Sequence, residues 1–252
     1  MKKFSFAKLA LASICALGLT AALSVRADTI ATWSFEAGQN SGASSATVNG
    51  ATIGSIASDV GTGFASGVHV STSTAWSFPA GDANAAYPSS VHSLSANNWA
   101  QNDYFQFTAN LSLGSYTYSG IGLSWDQTGS NTGPAKFGLW YSTDGSGFTQ
   151  FGSGYTLSFF SWNTTTVAGN HESADLSAIT GLNTASTIYF RIIENSDPTT
   201  GSIVGAAIGT AGTDRIDNFT ITANVAAIPE PSSLCLLGGF GLLVWHMIRR
   251  RK

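Results

Sequence analysis

The chain has 252 residues, 43% of them hydrophobic and only 10% charged, with seven Trp, seven Tyr and 15 Phe. That much aromatic surface excludes a disordered chain, and the length supports one large domain or two small ones. The net charge of −3 hides an asymmetry: most of the 11 basic residues lie at the ends, as Lys2, Lys3, Lys8 and Arg26, then Arg249, Arg250, Arg251 and Lys252. Between Asp28 and Asp217 only Lys136, Arg191 and Arg215 face 13 acidic residues, a net of −10 that excludes nucleic acid and anionic lipid as partners of the body.

The N-terminus carries Lys2, Lys3 and Lys8, then an apolar run from Leu9 to Leu23, then Val25-Arg26-Ala27. This is the order of a secretory signal peptide over residues 1–27, with cleavage expected between Ala27 and Asp28. Cys15 is no lipoprotein cysteine, because Ile14 stands where a small residue is needed and more apolar residues follow. The only other cysteine, Cys235, lies near the C-terminus, so the exported body has none and its stability is expected from core size, with a bound metal as the alternative source, rather than from disulfides.

Residues 28–225 read as one all-β domain. No stretch shows sustained helical periodicity, and several alternate with period two. Thr29–Phe35 is the first predicted strand. The stretch from Gly38 to Asn102, rich in Gly, Ala and Ser, supports only short strands and is expected to form long loops over one end of the domain. In Tyr104–Asn110, Phe105, Phe107 and Ala109 share one face while Gln106 and Thr108 take the other. Tyr116–Trp125 is the next strand. Phe137, Leu139 and Tyr141 then alternate with Gly138 and Trp140, and Asp144-Gly145 signals a hairpin turn. Phe148–Gly152 and Tyr155–Phe160 are predicted to pair with each other. In Thr187–Glu194, Ile188, Phe190 and Ile192 oppose Tyr189, Arg191 and Ile193; Phe219, Ile221 and Ala223 alternate with Thr220 and Thr222 in the last strand. Seven or eight strands separated by Gly, Ser, Asn and Asp turns predict a two-sheet antiparallel sandwich.

Catalytic motifs are sparse. There is no Gly-x-Ser-x-Gly, no thiol in the body and no phosphate loop; His171-Glu172 lacks the second His that a zinc motif needs one turn later. A three-His zinc site would need all of His69, His92 and His171. A glycosidase needs two carboxylates across a cleft, and Glu36, Glu172 and Glu194 are the body's glutamates, so a secreted glycoside hydrolase is the alternative function. Asp59, Asp82, Asp144 and Asp197 sit beside Gly, Pro or Ser and read as turn residues. Trp76, Tyr87 and Trp99 fall in the loop-rich stretch, where exposed rings would stack on a sugar. Trp33, Trp125, Trp140 and Trp162 lie in or beside strands and read as packing.

The C-terminal segment, residues 226–252, reads Ile228-Pro229-Glu230-Pro231-Ser232-Ser233, then an apolar run Leu234–Ile248 with Gly238, Gly239 and Gly241, then Arg249-Arg250-Arg251-Lys252. As a helix the apolar run reaches about 22 Å, and snorkelling arginines extend it towards the roughly 30 Å of a hydrocarbon core. The basic cluster would act as a stop-transfer signal and stay cytoplasmic, leaving Pro229-Glu230-Pro231 on the outer side. This tail resembles the PEP-CTERM sorting signal. The resemblance implies an exported protein anchored transiently in the inner membrane of a Gram-negative bacterium. It also implies an exosortase-type membrane protease as partner, with transfer to the cell surface or extracellular matrix.

Two further runs, Trp33-Ser34-Phe35-Glu36-Ala37 and Arg215-Ile216-Asp217-Asn218-Phe219, together with Trp140-Tyr141-Ser142-Thr143-Asp144-Gly145 and Tyr189-Phe190-Arg191-Ile192, resemble jelly-roll domains of secreted bacterial proteins, carbohydrate-binding modules among them. The resemblance implies a structural calcium ion held by Glu36 and Asp217, and extracellular polysaccharide as a ligand. The expected function is therefore a non-catalytic surface or matrix protein with a carbohydrate-binding body.

Overall fold

The computed structural model describes residues 26–36, 47–79, 81, 92–157, 171–228, 245–246 and 249–250. Residues 1–25 of the leader, Tyr87, Trp162, Pro229-Glu230-Pro231, Arg251 and Lys252 lie outside them, as does nearly all of the tail run Leu234–Ile248. Residues 245–246 and 249–250 are helical, with the Arg249 guanidinium 5.2 Å from the centre of the Trp245 ring. Among the described residues no helix is long and apolar enough to cross a membrane.

The body is all-β, with two antiparallel sheets packed face to face. Their strands are β1 (Arg26–Trp33), β2 (Val48–Asn49), β3 (Thr52–Ala57), β4 (Val60–Gly61), β5 (Gly63–Val68), β6 (Ala75–Ser77), β7 (Leu94–Ala96), β8 (Tyr104–Asn110), β9 (Tyr116–Gly129), β10 (Lys136–Ser142), β11 (Thr149–Thr156), β12 (His171–Asp175), β13 (Thr187–Glu194) and β14 (Asp214–Ala227). The first sheet runs β12-β9-β14-β7-β6-β2, with β1 also on β14 and β4 on β1; the second runs β11-β10-β13-β8-β5-β3. β1 begins two residues before the expected cleavage point, with Arg26 opposite Val225 and Ala27 opposite Asn224.

Alternating side chains build the core, as period two requires when one face of each sheet is buried. Phe105, Phe107, Ala109, Ile188, Phe190 and Ile192 of the second sheet are fully buried, and Phe219, Ile221 and Trp33 of the first meet them. Phe107 stacks on Phe219 across the sandwich with ring centres 3.7 Å apart, and Trp33 packs edge-on against Phe107 at 5.3 Å. Burying each such ring is worth about 1.5–3 kcal/mol, so this inter-sheet cluster is the main cohesive element.

Two expectations need correction. The stretch from Gly38 to Asn102 is not merely loop: β3 and β5 extend the second sheet, and β2, β6 and β7 the first. Tyr155 and Phe151 do not belong to two strands paired with each other; both lie on β11, which pairs with β10. Gly152 (φ +67°) and Gly154 (φ +82°) adopt left-handed backbone that glycine tolerates, so the chain bulges there instead of turning back. The register accordingly jumps, with Phe137 opposite Tyr155 and Leu139 opposite Phe151.

Candidate functional site: the outer face of the second sheet

The tryptophans expected to meet sugar are inside. Trp76 is fully buried and Trp99 nearly so. The His69 ring centre lies 4.5 Å from that of Trp76 and 4.2 Å from that of Trp99, and the Trp99 ring packs edge-on against Phe105 and Phe137. Trp76 donates its indole N–H to the Gly50 carbonyl at 2.9 Å, and Gly67 leaves the room its ring fills: a Cβ there would come within 2.3 Å of it. Neither ring can stack on an external ligand. The physical reason is that Trp76, the middle residue of β6, packs inward against Gly67, while Trp99, which follows β7, packs inward against Phe105 and Phe137.

Trp140 is the opposite case. Phe137, Leu139 and Tyr141 take the inner side of β10, so Trp140 points outward and is half-buried, not core packing. The register places Trp140 opposite Arg191 on β13 and Gln150 on β11, Arg191 opposite Gln106 on β8, and Gln106 opposite Ser66 on β5. In the neighbouring row Ser142, Tyr189, Thr108 and the exposed Phe64 stand side by side; in the next come Gly138, Ile193, Tyr104 and Val68. One sheet face thus displays Trp140, Tyr189, Tyr104 and Phe64 among amides, hydroxyls and a guanidinium.

Arg191 organises the middle of this face. Its guanidinium carbon lies 4.1 Å from the centre of the Tyr104 ring and 3.7 Å from that of Phe148, and its Nε donates to Gln106 Oε1 at 2.8 Å. Partial burial draws its pKa down, and the Tyr104 phenol opposes that, so it remains a cation held in a fixed plane. The hairpin beside it is fastened by Asp144, whose Oδ1 accepts from Ser142 Oγ and from the backbone N–H groups of Ser146 and Gly147, all at 2.8 Å. Those donors hold the Asp144 carboxyl well below the usual range. Asp197 likewise accepts from Thr199, in keeping with a turn role for both.

The residues of the hydrolase alternative are dispersed. Glu36 accepts the His92 backbone N–H at 2.8 Å and lies 3.1 Å from the His92 ring nitrogen. Glu194 is fully buried at the end of β13, with Oε1 accepting the Ser196 N–H at 2.6 Å. Glu172 lines a cleft of about 180 Å³ between the edge strands β11 and β12, with Trp125, Phe151 and Tyr155. Burial raises its pKa, as an acid catalyst would require, but it is the one carboxylate lining that cleft. A glycosidase pair needs two.

Among the described residues Glu36 and Asp217 belong to no group of three metal-ligating side chains. Asp217 is fully buried and its Oδ1 accepts the Asn218 N–H at 2.7 Å, while Glu36 is engaged by His92. Asn218, at φ +50°, makes a bulge in β14 and donates its side-chain amide to Asp126 Oδ2; Asp126 Oδ1 lies 2.7 Å from the His171 ring. Among the described residues no three His, Cys, Asp or Glu converge as a metal would require, against the six to eight oxygens of a calcium shell.

No family model matches this chain, and no curated protein matches it. Among solved structures it is similar, at a TM-score of 0.34 and 12% identity, to the K1 cleaved adhesin domain of Lys-gingipain from Porphyromonas gingivalis W83, covering 80% of this chain and 99% of that one. It is also similar to TmCBM61 in complex with beta-1,4-galactotriose, at a TM-score of 0.28 and 9% identity over 66% of this chain and 87% of that one. The third is a Paenibacillus xanthan lyase, at a TM-score of 0.28 and 16% identity, over 58% of this chain and 11% of that one.

Proposed function

We propose that this protein is an exported, non-catalytic, jelly-roll-like glycan-binding protein of the cell surface or extracellular matrix. The observation that carries the reading is the outer face of the second sheet. Trp140 and Tyr189 are diagonal neighbours on adjacent strands, flanked by Gln106, Gln150 and Arg191. Sugar recognition uses this combination, because the C–H face of a pyranose stacks on an aromatic ring while its hydroxyls take planar amide and guanidinium partners. Among the described residues the strands of this face hold no carboxylate pair for hydrolysis, Glu194 being their one acid.

Delivery rests on the sequence of the ends. The leader directs export, Pro229-Glu230-Pro231 is the recognition motif for an exosortase-type protease, and the tail helix with Arg249, Arg250, Arg251 and Lys252 is the transient inner-membrane anchor. Glycan affinity electrophoresis of the full chain tests the body: Trp140→Ala and Tyr189→Ala should each weaken retardation, and no reducing ends should appear. Loss of retardation with Trp76→Ala in a folded protein, but not with Trp140→Ala, would overturn the assignment of the face. Intact mass of the protein from its own host tests delivery. A species beginning near Asp28 and ending near Pro229–Pro231 is expected, and a full-length chain kept in the inner membrane would refute it.

A further inference from the structure

We propose that the cleft between the free edges of the two sheets binds an organic ammonium group, paired with the Glu172 carboxylate between aromatic walls. The site is separate from the outer face of the second sheet, and it stands or falls apart from the glycan-binding reading. Its position follows from topology. Among the described residues β12 ends the first sheet and pairs only with β9, and β11 ends the second and pairs only with β10. Between these edges Trp125, Leu139, Phe151, Tyr155, Glu172 and Ala174 line a cleft of about 180 Å³. A cavity of about 150 Å³ holds benzene, so this one has room for a small organic ion.

Glu172 is the anomaly in the lining. On β12 the exposed positions are His171, Ser173 and Asp175, and the half-buried ones, Glu172 and Ala174, face the interior. A carboxylate thus takes an inward position directly opposite Trp125 on β9. It makes no hydrogen bond among the described residues; burial raises its pKa and the His171 charge opposes that rise. The His171 ring itself turns to Asp126, at 2.7 Å. None of the body's other cations, Lys136, Arg191 and Arg215, lines the cleft. A partly desolvated carboxylate without a partner is satisfied by a cation that also donates hydrogen bonds.

The rings suit the same ligand. Trp125 stacks on Phe219 and Tyr155 on Phe137, so each gives one face to the core and leaves the other for the cleft that both line. Their planes are inclined at 59° with centres 5.6 Å apart, and Phe151 stands on the same strand as Tyr155. Their polar tips are engaged with each other and with Gln127: Trp125 Nε1 donates to Tyr155 Oη at 3.2 Å, and the Tyr155 hydroxyl donates to Gln127 Oε1. Apart from the hydroxyls of Ser153 and Ser173, the lining side chains therefore present aromatic and aliphatic surface and one carboxylate. Those are the partners of an ammonium ion, and they repel an anion. A charge pointing inward from an edge strand also discourages strand addition, but that role needs no aromatic walls.

The test titrates the full chain, in non-ionic detergent, with n-butylammonium and with glucosamine, each beside its uncharged N-acetyl counterpart. At least one ammonium should bind about tenfold or more tightly than its N-acetyl form. Tighter binding of butylammonium assigns the site to alkyl amines, and tighter binding of glucosamine assigns it to amino sugars; either order supports it. Glu172→Gln, which keeps the shape of the side chain, should abolish the preference while the melting temperature shows the variant folded. Phe151→Leu keeps the carboxylate and should weaken the ammonium about threefold while leaving the N-acetyl form unchanged, which keeps the test decisive if the glutamine variant does not fold. Equal affinity for the charged and acetylated forms, or binding of neither, overturns the proposal. So does a preference that survives Glu172→Gln, as diffuse attraction to a body of net −10 would, or one that Phe151→Leu leaves intact. None of these results touches the outer face, because Trp140 and Tyr189 lie outside the cleft.

Discussion

The two faces of the second sheet are made from the same strands and do opposite work. On β8, Phe105 and Phe107 are sealed against the first sheet, while Tyr104 and Gln106, one residue away, share the outer face with Arg191. On β10, Phe137 and Leu139 are core and Trp140 is not. An aromatic residue in this protein is therefore structural or available according to its parity in the strand, whatever the composition of the region around it. The Gly/Ala/Ser-rich stretch looks like open loop and yet supplies Trp76 and Trp99 to the core.

The largest expected effect comes from cutting into the inner face. Trp76→Ala should cost about 3–5 kcal/mol in denaturant unfolding, because it empties the volume beneath Gly67 and strips His69 of one ring. If the cost is below about 1 kcal/mol, Trp76 is not core. Next comes the polar end of that interior. Asp214 is fully buried with Oδ2 lacking a hydrogen-bond partner, and Glu194 has Oε2 in the same condition. Burial pushes both carboxyls up, and a neighbouring charge adds to each rise, Glu194 at Asp214 and Asp103 at Glu194. Raised native carboxyl pKa values mean that their contribution to stability is complete below the ordinary carboxylate range and is lost as pH rises through the native values. His69 runs the other way: burial lowers its pKa from 6.5 to about 3, so its contribution is present above about 6.5 and is lost as pH falls towards 3. Asp214→Asn, which keeps an acceptor for the Gln127 amide now 2.8 Å from Oδ1, should reduce the fall in melting temperature between about pH 5 and pH 8. An unchanged slope would mean that Asp214 does not titrate between the folded and unfolded states.

The outer face should respond differently. Trp140→Ala should weaken glycan binding about tenfold, the loss of one stacking contact of roughly 1–1.5 kcal/mol, and shift unfolding by less than about 1 kcal/mol. A large loss of stability with no loss of binding would erase the distinction between the faces. The smallest effect is expected at Asp144→Ala. Its depressed pKa makes its contribution present above the ordinary carboxylate range and lost as pH falls below it, so the variant should match wild type in acid and melt slightly lower at neutral pH. Equal melting temperatures at both pH values would show that the turn holds without its carboxylate.

Strand parity was legible before the structure, since Phe137, Leu139 and Tyr141 against Gly138 and Trp140 already puts Trp140 on the far side from the core, as Tyr189 and Arg191 are from Ile188, Phe190 and Ile192. Reading Trp140 as packing weighed its size above its parity. Trp76 and Trp99 gave no such signal, because β6 has three residues, too few for alternation to declare a face, and Trp99 lies outside any strand, three residues after β7.

By itself the sequence determined the all-β class, the main alternating strands, the Asp144 hairpin and the acidic balance of the body. These follow from local chemistry: a two-residue period, turn residues that accept their own backbone N–H groups, and counted charge. Only the tertiary structure decided which strands share a sheet, and so collected strands free of exposed carboxylate on one face. It also brought Trp125, Phe151, Tyr155 and Glu172 around one cleft, though they come from separate strands. Strand partners and register are long-range choices, fixed by which inward rings fit together across the sandwich, and no local pattern in the chain records them.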